Sequence, residues 1–206
     1  MRILVLDGNQ NQAVACVRSL ARQGHSVRVG ESHSWSKAGW SRFCAGTFQY
    51  ASPQLHPDQF LDDLLAESQK EPGTLVLPMT EATTLMISAH RERFAAIGAR
   101  FVLPTHGDLL RAVDKSQTTD LARSLGMVVP TTLTVSCSEA IPDSVQALRF
   151  PVVLKPRTSE ESMAQGRMRA TGRPRYARDV AQMQEAFSEL RQNCSSVLVQ
   201  DFVEGT

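Results

Sequence analysis

Seven short apolar segments of the sequence predict β-strands, because each is too short for a helix and is bounded by polar residues or turn formers. They cover residues 3–6, 26–30, 74–77, 101–104, 133–135, 152–154 and 197–200. Residues 152–154 are three aliphatic side chains in a row, a pattern typical of a strand that is buried on both faces.

Helices are predicted between these strands, where apolar residues recur at intervals of three and four. The first covers residues 13–21 and is closed by Gly24, a favourable helix C-cap. Further helices are expected to start near residues 60, 80, 108 and 115, and Thr80 has the side chain of an N-cap. Residues 32–57 show neither pattern and are predicted to be irregular.

The strand, helix and strand at the start of the chain predict a parallel β-α-β unit, and therefore an α/β fold. The turn after the first strand contains one glycine, Gly8, where a dinucleotide-binding turn has three. A tight strand-to-helix turn is enough to explain that glycine. A Rossmann oxidoreductase that binds NAD or FAD is therefore disfavoured.

Composition narrows the class of protein further. The 206 residues suffice for one large domain or two small ones, and the formal net charge of +1 does not favour nucleic acid or an anionic membrane as a partner. The four cysteines are scattered, without the spacing of a zinc site, which favours free thiols. No apolar run approaches the length of a membrane helix or a signal peptide, so a cytoplasmic protein is expected.

Lys155 is the residue on which the functional prediction depends. It ends the apolar segment 152–154 and is followed by Pro156. A buried ammonium group needs an anionic partner, and a phosphate is a natural candidate. A lysine that extends from the strand end to solvent is the alternative.

The last segment of the chain favours the phosphate hypothesis. The apolar residues 197–199 lead into Gln200, Asp201, Phe202 and then Val203-Glu204-Gly205. An apolar strand that ends in lysine, followed by a loop, a helix and a strand with this ending, resembles the ATP-grasp superfamily. The resemblance implies a Rossmann-like parallel-sheet domain over residues 1–107 and the small α+β ATP-grasp subdomain over residues 108–206. The large subdomain would be absent, so the chain would be truncated at the hinge.

The resemblance also implies roles for individual residues. Lys115 and Lys155 match the lysines that contact the nucleotide phosphates, and Gln200 matches a position beside the adenine amino group. Asp201 and Val203 match the residues whose backbone carbonyl and N–H contact the adenine edge, and Glu204 falls where a ribose-binding acid can lie. Phe202 packs in the core or against the base, with the core favoured.

Two other segments are assigned through the same resemblance. The loop after Lys155 corresponds to the phosphate loop, where the hydroxyl and backbone groups of Ser159 and Ser162 would cradle phosphates. It departs from the usual glycine-rich pattern, because Gly166 is its one glycine and two adjacent glutamates are expected to repel phosphates. Thr80 and Glu81, at a strand end, correspond to a substrate cleft.

The function implied for the intact enzyme is ligation. ATP and Mg²⁺ would phosphorylate a small-molecule carboxylate, and an amine-type nucleophile would attack the acyl phosphate. The branch that includes carbamoyl phosphate synthase and amino-acid ligases is favoured, and the magnesium ligands are expected beyond Thr206. The chain alone would therefore be inactive, with no assigned catalytic residue or metal ligand. A non-catalytic nucleotide-binding or interaction module that is complete at Thr206 is the alternative, and a homodimer is left open.

Overall fold

The computed structural model describes residues 1–163 and 167–204, without the side chains of Gln146, Ala147 and Ser162. The predictions for Gly166, Gly205 and Thr206 lie outside these residues.

The chain divides into two compact units. Residues Met1–Leu109 and Met163–Met168 form the first unit, and Leu110–Ser162 and Arg169–Thr206 form the second. No helix within the described residues is long and apolar enough to cross a membrane.

The first unit is built on a parallel sheet with the strand order β3-β2-β1-β4. Its elements are β1 (Arg2–Val5), α1 (Asn11–Arg22), β2 (Ser26–Glu31), β3 (Gly46–Gln49), α2 (Pro57–Gln69), β4 (Leu75–Leu77), α3 (Glu81–Ala89) and α4 (Arg91–Ala96). The central strand β1 is buried on both faces. Ile3 and Val5 belong to a cluster with α1, whereas Leu4 and Leu6 belong to a cluster with α2.

Two sequence predictions for this unit were wrong. The stretch 32–57 contains β3, a short edge strand whose residues alternate between half-buried and exposed, and so carries only a weak apolar pattern. Residues 101–104 do not form a strand, because pairing with β4 is limited to a single bridge at Arg100. Phe101 instead packs edge-on against Phe94, and Pro104 has no N–H to donate.

An ion-pair network closes the amino end of this sheet. The carboxylate of Glu67, on α2, is 5 % exposed and pairs with Arg2 on β1, with Arg28 Nε on β2 at 3.1 Å and with Lys70 Nζ at 2.5 Å. Arg2 is itself 10 % exposed, so this part of the network is largely shielded from water. Glu67 therefore links one helix to two strands.

The second unit is a smaller α+β structure. The elements from residue 106 onward are α5 (His106–Val113), α6 (Lys115–Ser124), β5 (Thr132–Ser136), a 3₁₀ turn (Asp143–Ala147), β6 (Val152–Pro156), β7 (Glu160–Ser162), β8 (Met168–Ala170), β9 (Arg175–Ala177), α7 (Val180–Leu190) and β10 (Ser196–Asp201). Its main sheet is antiparallel with the order β5-β10-β6-β9, and β7 pairs with β8. The last strand, β10, thus lies at the centre of the sheet.

One face of this sheet carries the core. Val152, Leu154, Val197 and Val199 are fully buried in a cluster that includes Phe187 of α7. Because side chains alternate along a strand, the residues between them face the opposite side of the sheet. Lys155 and Gln200 lie on that opposite face.

Two of the four free cysteines are buried in the second unit. The Sγ atoms of Cys137 and Cys194 are 3.8 Å apart, and burial raises the pKa of both thiols, that of Cys194 to about 12. Cys16 and Cys44, in the first unit, are only half-buried.

We expect iodoacetamide at pH 8 to label Cys16 and Cys44 well before Cys137 and Cys194. The thiolate is the nucleophile, and the raised pKa lowers its concentration at Cys137 and Cys194. Burial of these two residues also limits access of the reagent. Peptide mass spectrometry at successive times would measure the four rates. Equal rates in the folded protein would contradict the burial of the inner pair, and equal rates in denaturant are the control.

Candidate functional site

The outer face of the second sheet brings Lys155 and Gln200 together. Lys155 on β6 lies opposite Leu198 on β10, and Gln200 is two residues further along β10 on the same face. The Lys155 Nζ atom donates a hydrogen bond to Gln200 Oε1 at 2.9 Å. The lysine-ended strand and the final strand therefore lie side by side.

Gln200 belongs to a directional chain of hydrogen bonds. Its Nε2 atom donates to Thr132 Oγ1 at 2.8 Å, and the Thr132 hydroxyl donates to the Pro130 carbonyl at 2.9 Å. A carbonyl oxygen can only accept, so the threonine proton is committed to Pro130 and the amide must donate to the threonine. This fixes the orientation of the Gln200 amide, with its oxygen towards Lys155.

A glutamine in this position leaves the charge of Lys155 uncompensated. The amide oxygen of Gln200 accepts a hydrogen bond but carries no net charge. Among the described residues, no carboxylate lies within ion-pair distance of Lys155, which is only partly exposed. A partly buried cation of this kind favours an anion from outside the chain.

Lys115 reaches the loop that follows β6. It is the first residue of α6, and its Nζ atom lies 3.5 Å from Ser159 Oγ. Its backbone N–H donates to the Arg157 carbonyl at 3.0 Å, which joins the start of α6 to the end of β6. Ser159 is exposed, and the side chain of Ser162 lies outside the described part of the chain.

Asp114 fixes this junction. Its carboxylate accepts hydrogen bonds from Arg157 Nε at 2.9 and 3.0 Å and from a terminal Arg157 nitrogen at 2.6 Å. It also caps α6 by accepting from the N–H groups of Ser116 and Gln117. The hydrogen bonds from Arg157 hold the pKa of Asp114 well below its usual range, and the same contact raises the pKa of Arg157.

A pocket of about 400 Å³ lies on this face of the sheet. Lys115, Lys155 and Gln200 provide its polar part, and aliphatic side chains such as Val129 and Leu198 provide the rest. No acidic residue is among the described residues that line it. A pocket that has two lysines beside an apolar wall suits a ligand that has an anionic part and a flat apolar part.

The final residues leave the sheet at one end of this face. Asp201 donates its N–H to the Thr131 carbonyl at 3.0 Å, and its carboxylate accepts from Arg149 N–H at 3.0 Å. Phe202 is 39 % exposed and packs edge-on against Tyr176, so it does not join the core as favoured from the sequence.

Val203 and Glu204 follow and are both exposed. Their backbone and side-chain groups are therefore accessible to a ligand. The roles predicted for them at an adenine and a ribose stay predictions.

The predicted substrate residues lie in the first unit, at the carboxyl end of its sheet. Thr80 caps α3, and its Oγ1 accepts from Thr83 N–H at 3.4 Å, while Glu81 occupies the first turn. The sequence prediction missed Asp7, whose carboxylate accepts from Met79 N–H at 2.9 Å and Thr83 Oγ1 at 2.7 Å. The sequence feature that could have indicated Asp7 is a single acidic residue directly after the apolar residues 3–6.

Asp7 also organises the end of β1. It has a φ of 55°, in the left-handed region, and accepts a hydrogen bond from the Tyr50 hydroxyl at 3.1 Å. Burial, and next the Asp7 carboxylate, raise the pKa of Tyr50 far above its usual value. Tyr50 therefore stays protonated and serves as a fixed donor.

The sequence and the fold differ in how far they resemble known proteins. No family model matches the sequence, and no curated protein matches it. Several solved structures match the fold over the whole chain. Among them are N5-carboxyaminoimidazole synthetase from Staphylococcus aureus complexed with ADP (TM-score 0.70, 15% identity) and D-alanine–D-alanine ligase from Bacillus anthracis (TM-score 0.63, 14% identity). An L-amino acid ligase from Bacillus licheniformis matches over the whole chain as well (TM-score 0.65, 13% identity).

The chain spans 48%, 58% and 45% of the lengths of these three proteins, respectively. Identities this low establish a common fold and leave the activity to be argued from the site. The predicted fold class, a Rossmann-like parallel-sheet domain followed by a small α+β domain, is confirmed.

Proposed function

We propose that this chain, which has the fold of ATP-grasp enzymes over about half of their length, is the nucleotide-binding part of an ATP-dependent ligase. The ligase would convert a small-molecule carboxylate into an acyl phosphate and couple it to an amine-type nucleophile. A cytoplasmic location is part of the proposal, because the four thiols are free.

The observation that carries the proposal is Lys155, a partly exposed cation without a carboxylate partner among the described residues, in a pocket that Lys115 also lines. Lys155 is held by a neutral amide, so its positive charge acts on the pocket, and the Lys115 Nζ atom lies 3.5 Å from Ser159 Oγ beside the same pocket. Phosphate groups are the ligands that such a pair favours. The apolar wall formed by Leu198 and Val129 would take the base.

Each residue has a stated task in this proposal. Lys155 and Lys115 would neutralise phosphate charge, and the exposed segment from Asp201 to Glu204 would contact the base and ribose. Gln200 would keep Lys155 in place without cancelling its charge. Two of the similar solved structures are named as amino-acid ligases, which supports a carboxylate and an amine as substrates.

Magnesium does not fit the described residues. No group of three or more His, Cys, Asp or Glu side chains among them could hold a metal ion. Phosphoryl transfer relies on metal ions to neutralise developing charge. We therefore assign no metal-dependent step to these residues, and expect the 206-residue chain alone to bind ATP weakly and not to turn it over.

The same finding favours a second candidate, a nucleotide-binding or interaction module without catalysis. The two candidates differ in one measurement. Protein expressed from the complete gene should consume ATP when both a carboxylate and an amine are supplied. Binding of ATP without turnover, over a panel of amino acids and other carboxylates, would favour the module.

Replacing Lys155 by methionine is the direct test of the site. In protein from the complete gene, we expect Lys155→Met to lower kcat/KM for ATP about 100-fold, the equivalent of about 2.8 kcal/mol, because a charged contact to phosphate is lost. Steady-state kinetics with varied ATP would measure it. Lys37→Met, which removes an exposed lysine of the first unit, is the control. Unchanged ATP kinetics in Lys155→Met would contradict the proposed site.

A further inference from the structure

The carboxylate of Glu161 is bound within the second unit rather than pointing at an incoming anion. Glu161 lies in β7, within the loop that follows β6. Its two oxygens accept from the Ser195 N–H at 2.9 and 3.1 Å, and one of them accepts from the Ser195 hydroxyl at 2.8 Å. Two donors on one residue, the N–H and the hydroxyl, make this a specific contact.

The position of Ser195 separates this negative charge from the ammonium group of Lys155. Ser195 directly precedes β10, whereas Lys155 Nζ contacts Gln200, five residues further on. At about 3.3 Å per residue, that distance along the strand is about 17 Å. The donors of Ser195 therefore offset part of the negative charge of Glu161, and the repulsion of phosphates expected from the two glutamates stays a prediction.

The base of the same loop is fastened at a second point. Thr171 is fully buried, its hydroxyl donates to the Thr158 carbonyl at 2.5 Å, and its N–H donates to the Ser159 carbonyl at 3.1 Å. Thr171 fixes the start of the loop, and Glu161 fixes the residues that follow. Ser159, between these two points, is the residue that approaches Lys115.

We propose that Glu161 is a positioning residue that holds the loop 158–162 in the shape that receives the phosphates of a nucleotide. The inference rests on the proposed function, since that function supplies the phosphates. The exposed serine side chain and backbone groups near residue 159 make the contacts, and Glu161 acts through them. Its carboxylate bonds to Ser195 and touches no ligand.

Hydrogen exchange of the 206-residue chain, without any ligand, tests the anchor itself. In Glu161→Ala, the amides of residues 159–162 should exchange about tenfold faster, because the loop opens without its anchor. Glu161→Gln keeps one accepting oxygen, so the exchange rates of these amides should lie between those of Glu161→Ala and those of the wild type. Glu185→Gln, an exposed acid on α7, is the charge-matched control and should not change these amides. Unchanged exchange in Glu161→Ala overturns the inference.

Binding of inorganic tripolyphosphate separates a positioning role from a merely structural one. We expect NMR titration at millimolar concentrations to show binding to the wild type near Lys155, and about tenfold weaker binding to Glu161→Ala, with adenosine binding unaltered. Equal tripolyphosphate binding by both proteins overturns the positioning role and leaves the proposed function intact. No binding to the wild type overturns the proposed function, and the inference with it.

Discussion

Replacing Asp114 by alanine is expected to lower the free energy of unfolding of the second unit by about 2 to 3 kcal/mol. The loss has two parts: the N-cap of α6, worth about 1 kcal/mol, and the forked hydrogen bonds to Arg157, worth about 1.5 kcal/mol. The second part is kept small because Arg157 is 40 % exposed and its charge is screened by water. Urea unfolding followed by hydrogen exchange of the β6 amides would measure the change.

Asp120→Ala is the matched control for this prediction. Asp120 lies on the same helix and pairs with Arg123, but both side chains are largely exposed, so the change should stay within about 0.5 kcal/mol. Asp114→Asn retains a cap and loses the ion pair, and should cost about half as much as Asp114→Ala. If Asp114→Ala unfolded at the same urea concentration as the wild type, Asp114 would not stabilise the second unit.

The contribution of Asp114 should depend on pH in one direction. Its pKa in the folded protein lies below the unfolded value of about 3.9, so the unfolded state binds its proton first as the pH falls. The stabilisation is therefore complete above about pH 5 and decreases progressively below pH 4. The difference in stability between wild type and Asp114→Ala, measured from pH 7 to pH 3, should shrink over that acidic range.

Glu67→Gln should destabilise the first unit by about 3 kcal/mol. The substitution preserves shape but leaves the shielded guanidinium group of Arg2, and the partly exposed one of Arg28, without their shared carboxylate, and an unpaired buried charge is costly. Hydrogen exchange of the β1 amides in increasing urea would report the change in this unit.

Glu71→Gln provides the comparison for Glu67. Glu71 is 58 % exposed and approaches Arg2 only to 3.9 Å, so its replacement should change stability by less than about 0.5 kcal/mol. If Glu67→Gln and Glu71→Gln cost the same, the buried network does not stabilise the first unit.

Most of the fold could be predicted from the sequence because its strands are short, apolar and buried. The parallel pairing of β1 and β2 is confirmed, and the resemblance to the ATP-grasp superfamily is confirmed as a likeness of fold. The two wrong strand predictions concern segments whose side chains are weakly buried, or whose conformation is set by tertiary packing and not by the local pattern. β3 is a half-exposed edge strand, and residues 101–104 are apolar because Phe101 joins a core, without a strand partner beyond Arg100.

The candidate site was only partly predictable, for a different reason. Lys155 and Gln200 stand out at the ends of apolar strands, and Asp114 has the sequence of a helix cap. Nothing local indicates that Gln200 bonds to Thr132, which is 68 residues away, or that Asp114 bonds to Arg157, which is 43 residues away. Such pairs follow from the tertiary arrangement of strands and helices, which a single sequence does not reveal.

The central place of β10 in its sheet has a consequence for how the protein is made. Both neighbours of this strand, β5 and β6, leave the ribosome first, and each lacks its main partner until residues 196–201 have emerged. During that interval the valines of the sheet are exposed to solvent. The pairing of β5 with β10 joins residues 60 or more positions apart, and contacts of such long range form slowly. The second unit therefore completes its main sheet only after residues 196–201 have been synthesised, whereas the strands of the first unit have all been synthesised by then.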